Sequence, residues 1–177
     1  MSGEELIRSW TATGIENFST MMARTSDVRY CGGFPDFPHG AQSENALIVK
    51  LCLGHTVAYA PTATYFYYVS GTSYGLSSGW RSLAEDTRQF LRFLDDDPVL
   101  QAYASDNPDT WPPLKDWLAT LAWASYYERW HGPYRKNLST VQWARAACAM
   151  PFIPHYYREV ASTLMRAVVR SVAIFFT

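Results

Sequence analysis

The sequence predicts a mainly α protein: a single-domain helical bundle of six to eight helices around a central helix at 111–131, with at most a short strand element near 62–70. Three observations lead there. Residues 111–131, WPPLKDWLATLAWASYYERWH, form one long run with clear start and stop signals. Capping-box pairs recur upstream of apolar runs at helical spacing, as in Ser2 with Glu5 and Ser82 with Glu85. With 48% apolar and 16% aromatic residues, a chain of 177 residues can bury a real core as one domain, 1–177.

Ser2 and Glu5, followed by Leu6, Ile7 and Trp10, predict a first helix ending near Gly14. Ile15, Phe18, Met21 and Met22 keep helical spacing to about Arg24 and predict a second. Residues 26–40, SDVRYCGGFPDFPHG, break the pattern with Gly and Pro and read as a long loop pinned by Tyr30, Phe34 and Phe37. Ala41 to about Tyr59 returns to helix, with Ser43 as cap, Leu47, Ile48, Leu51 and Cys52 as its buried stripe, and Pro61 as its stop. Residues 62–70, TATYFYYVS, favour extended structure through their β-branched and aromatic side chains. The Ser82 box opens an amphipathic helix through Leu83, Phe90, Leu91 and Leu94, of about three turns. Asp97-Pro98 opens the next, with Asp97 as cap and Pro98 in the first position.

In the central helix, Asp109 or Thr110 can cap, and Pro112 and Pro113 sit where N–H groups have no intrahelical acceptor. Gly132-Pro133 ends it. At 100° per residue it carries two apolar faces: Leu114, Trp117, Leu118, Leu121 and Ala122 on one, Trp123, Tyr126, Tyr127 and Trp130 on the other. Such a helix is normally covered on both sides. Asn137 or Ser139 caps a further helix through Met150, and Pro154 starts the last, which ends in the apolar run Ala-Ile-Phe-Phe-Thr.

The net charge of −1 conceals two imbalances. Arg outnumbers Lys twelve to three, which suits bidentate pairing with carboxylate or phosphate. Charge is also segregated. Residues 85–116 hold Glu85, Asp86, Asp95, Asp96, Asp97, Asp106, Asp109 and Asp116 against Arg88, Arg92 and Lys115; residues 132–177 hold six bases against Glu159 alone. Those bases, Arg135, Lys136, Arg145, Arg158, Arg166 and Arg170, are interleaved with Trp143, Tyr156 and Tyr157, a phosphate-plus-stacking inventory. The plainer reading is a solvated basic face.

No metal and no cofactor is expected. An EF-hand starting at Asp95 would need Gly where Leu100 stands, and no zinc spacing links His39, His55, His131 and His155. No Gly-rich phosphate loop, nucleophile elbow or dinucleotide fingerprint occurs, which leans away from an enzyme. Cys31, Cys52 and Cys148 form no C-x-x-C pair and suit reduced thiols in an intracellular (cytoplasmic) setting or a viral particle. The acidic Met-Ser-Gly-Glu-Glu start does not resemble a secretory signal, and no apolar run suggests membrane insertion.

The leading functional expectation is therefore a self-assembling structural protein, coat- or nucleocapsid-like, binding single-stranded nucleic acid through its Arg/aromatic C-terminal third. Subunit contacts are expected at Asp95, Asp96, Phe175 and Phe176. Two alternatives stand beside it. One is a small-molecule enzyme or binder with Trp123, Tyr127, Trp130 and His131 lining an aromatic pocket. The other is a helical protein–protein adaptor using loop 26–40 or the C-terminal end.

Overall fold

A computed structural model describes residues 1–9, 22–40, 42–53, 55–58, 79–131 and 139–151. Among these it holds seven helices and no strand beyond one isolated bridge. They are α1 (Gly3–Arg8), α2 (Thr25–Tyr30), α3 (Ser43–Cys52), α4 (Trp80–Asp96), α5 (Pro98–Asp106), α6 (Trp111–His131) and α7 (Thr140–Cys148). The chain divides into two compact units, Met1–Glu128 and Arg129–Thr177. None of the helices searched among the described residues is long and apolar enough to cross a membrane.

In the first unit one hydrophobic cluster joins α1, α3, α4, α5 and α6. Ile7, Ile48, Val49, Phe90, Leu94, Leu100, Leu114 and Leu118 are among its members. The long helix α6 supplies Trp111, Leu114, Leu118, Leu121 and Ala122. Both of its apolar faces are covered, since Trp123, Tyr126 and Tyr127 are buried as well. Trp117 lies at the rim, and its Nε1 donates to the Ile7 carbonyl of α1 at 3.4 Å. The most enclosed helix is α3, which packs against α1, α2 and α4. Ala46, Leu47, Ile48, Val49 and Lys50 are consecutive and all buried, so α3 has a covered circumference rather than a stripe.

The caps follow the sequence where a side chain can reach. Ser2 Oγ accepts from Glu5 N at 3.1 Å, and Glu5 Oε2 accepts from Ser2 N at 2.7 Å. Ser139 and Gln142 form the same reciprocal box at α7. Asp97 Oδ1 accepts from Val99 N at 2.9 Å and Leu100 N at 3.3 Å, with Pro98 at the start of α5. The Ser82 box does not form: α4 begins at Trp80 with Gly79 as its cap, and Ser82 lies inside the first turn. Ser43 is likewise inside α3 rather than capping it.

Four expected elements differ from the sequence expectation or fall partly outside the described residues. Helix α1 stops at Arg8, where Ser9 Oγ donates to the Leu6 carbonyl at 2.7 Å and competes with backbone pairing. The second expected helix, Ile15 to about Arg24, falls largely outside the described residues, and residues 22–24 are not helical. Within the expected loop, residues 25–30 form α2 instead. Its acid, Asp27, is in the first turn and its base, Arg29, in the last, as the helix dipole favours. Gly33 N donates to Val28 O and Gly32 N to Arg29 O, with Gly32 at φ 75°, so a Schellman turn ends it.

The fourth difference is α3, which ends at Cys52 rather than near Tyr59. Beyond it the chain is extended and pairs with the N-terminal residues: Gly3 N donates to His55 O and Val57 N to Met1 O, around an antiparallel bridge between Ser2 and Thr56. The strand expected near 62–70 falls outside the described residues.

This pairing requires a glycine. A Cβ on Gly3 would stand 1.7 Å from the Cys52 carbonyl oxygen, so backbone would have to move. Gly3→Ala is expected to lower stability by about 1–3 kcal/mol, as overpacking does. Urea unfolding checks this, and a Ser2→Gly control would show only the smaller loss of a cap.

Candidate functional site

A buried ion pair sits where three elements meet. Lys50 projects from α3, and its Nζ is 3.2 Å from Asp97 Oδ2 at the α4–α5 junction. The same ammonium donates to the Cys31 carbonyl, at the residue that follows α2. It also lies 5.4 Å from the centre of the Phe93 ring of α4. Lys50 is 6% exposed and Asp97 13%, so the charges are largely withdrawn from water. Such a pair survives only when the remaining hydrogen-bonding capacity is met. Here the carbonyl, the ring face and the cap interactions of Asp97 Oδ1 meet it.

A second tether lies beside it. Asp86, wholly buried on α4, accepts from the His39 backbone N–H at 3.1 Å. The His39 ring Nε2 is 3.2 Å from Glu85 Oε2. Phe37 packs edge-on against Phe93 at 5.9 Å. The Gly/Pro-rich segment 31–40 is thus anchored at both ends, to Lys50 and to α4.

The arrangement holds structure together and activates no nucleophile. Burial pushes the Cys31 thiol above its ordinary range, and the nearby Lys50 only partly opposes that. Burial pushes Cys52 up to about 11. Both stay protonated at neutral pH, the unreactive form. Tyr103 is also raised, by burial first and then by the hydrogen bond its hydroxyl donates to Glu4. Tyr126 is raised by burial, with Arg88 opposing. No group of three or more His, Cys, Asp or Glu able to hold a metal occurs among the described residues.

The residues singled out in the sequence are dispersed. Asp95 and Asp96 are exposed at the end of α4, and Asp95 pairs with Lys115 of α6 in the same chain. Arg145 is exposed on α7. Arg135, Lys136, Arg158, Arg166, Arg170, Phe175 and Phe176 lie outside the described residues. Of the aromatic set, Trp123 is 7% exposed and Tyr127 2%, and Trp123 stacks edge-on with Tyr126 at 5.6 Å. Trp130 and His131 belong to the last turn of α6, where only the backbone is described.

Sequence reasoning missed Lys50, Asp86 and the second role of Asp97. The signal for Lys50 was present: it is the lone charge in the apolar run Ala46–Cys52. A charge at such a position is buried with a partner or not at all.

Two outcomes are expected. Asp97→Ala removes both the cap and the counter-ion, costing about 3–5 kcal/mol, and Asp97→Asn, which keeps a capping oxygen, costs about 1 kcal/mol less; denaturant unfolding separates the two. For Cys52 the folded-state pKa is the higher one, so the unfolded chain loses its proton first as pH rises. Stability from this group is complete below about pH 9 and falls toward pH 11. Cys52→Ala should flatten that part of the stability–pH curve. No protein family, no curated protein and no solved structure matches this chain.

Proposed function

We propose that the chain is a self-assembling structural protein that binds single-stranded nucleic acid through its Arg/aromatic C-terminal third, Arg135, Lys136, Arg145, Arg158, Arg166 and Arg170. One observation carries the reading. Of the eight acids between 85 and 116, six are exposed: Glu85, Asp95, Asp96, Asp106, Asp109 and Asp116. The acid-rich stretch is therefore a surface and is not consumed inside the fold. The basic stretch stands apart from it in sequence, and its described member, Arg145, is exposed as well.

Opposite charges carried on separate stretches of one chain can meet between copies as well as within one. Arginine in excess then offers phosphate its bidentate geometry. All three cysteines carry free thiols, which suits a reducing interior such as a cell or a particle assembled in one.

Gel filtration and native mass spectrometry of the untagged chain, with and without an oligouridylate, test the reading. Oligomers that dissociate as salt rises, and a complex whose affinity falls steeply with salt, are expected. A monomer indifferent to the oligonucleotide at low and moderate salt would end it.

A further inference from the structure

We infer that the outward face of α2 is the surface on which a second copy of this chain docks, presenting its acidic α4–α6 surface. The inference rests on the self-assembly reading above and names the contact that would build it.

Helix α2 has no buried residue, although it packs on the most enclosed helix of the unit. Thr25, Ser26, Arg29 and Tyr30 face outward, as the i, i+4 relation of 25 with 29 and 26 with 30 requires. Tyr30 is 82% exposed. Met22 and Arg24 before the helix are exposed too, as is Phe34 after the Schellman turn. Asp27, the acid of this helix, is half-buried and accepts from Ser26 Oγ at 3.1 Å. Tyr, Arg and Met are the residue types enriched where protein partners meet.

Charge selects the occupant. Among the described residues neither Arg24 nor Arg29 forms an ion pair. On the same unit, Asp96, Asp106, Asp109 and Asp116 are exposed and also form none, Asp95 having been taken by Lys115. A second copy therefore carries exposed, uncommitted carboxylates that can meet these two uncommitted guanidinium groups. The two surfaces differ, so the contact is head-to-tail and propagates into a ring or filament.

The test uses the full chain, with sedimentation velocity reading self-association. All substituted positions are exposed, and circular dichroism checks that each variant folds. Arg24→Glu with Arg29→Glu should weaken association at least about tenfold, as loss and reversal of interfacial charge does. Tyr30→Ser should weaken it with net charge unchanged. Asp96→Lys with Asp109→Lys should weaken it alike, and mixing those subunits with the arginine-reversed ones should restore it. If the wild type assembles and the α2 variants assemble equally well, this docking surface is wrong while self-assembly stands. If the variants lose oligouridylate affinity with association unchanged, the face serves a polyanion and the inference is overturned. A wild type that stays monomeric at every concentration defeats the parent reading.

Discussion

The ammonium of Lys50 and the carboxylate of Asp97 set the geometry of the first unit. Withdrawing two charges from water costs several kcal/mol per ion unless each finds complete replacement for its hydration. That condition is demanding, and meeting it dictates where three pieces of chain must lie. The end of α2 has to bring the Cys31 carbonyl to the ammonium. Helix α4 has to place Phe93 beneath it. The α4–α5 corner has to offer one oxygen of Asp97 to Lys50 and the other to the first N–H groups of α5. A cap residue is used here as a counter-ion, so the corner and the core cannot vary independently.

The segment after α2 shows how a stretch that looks like spacer becomes ordered. Gly32 and Gly33 supply left-handed backbone that ends the helix, and Gly40 supplies a third such position at the far end. Between them Phe37 enters the cluster, while His39 gives its backbone N–H to Asp86 and its ring to Glu85. The polar groups of this loop are met by α3 and α4, which is why a Gly/Pro-rich segment can lie against a core without exposing that core to water. Fastened from below in this way, α2 presents its other side outward.

Function in this reading is a matter of which charges the fold uses and which it leaves. Lys50, Asp86 and Asp97 are drawn inside and act as fasteners. Asp96, Asp106, Asp109 and Asp116 stay on the surface, and so do Arg24 and Arg29. The near-zero net charge of the chain is thus a balance of many charges of both signs, some of them exposed, and not an absence of charge.

The sequence by itself determined the helical class, the extent of α6 and those caps whose partners lie within four residues: Ser2 with Glu5, Asp97 with Val99 and Leu100, Ser139 with Gln142. Periodicity and capping are local, and local physics is written in neighbouring residues. Tertiary structure decided the rest. It ended α3 at Cys52 by pairing the chain with the N-terminal residues, formed α2 where Gly and Pro promised a loop, and passed over the box at Ser82 and the cap at Ser43. It also chose Lys50 and Asp86 for burial, because the partner that makes a buried charge tolerable stands 47 residues away in the chain in each case.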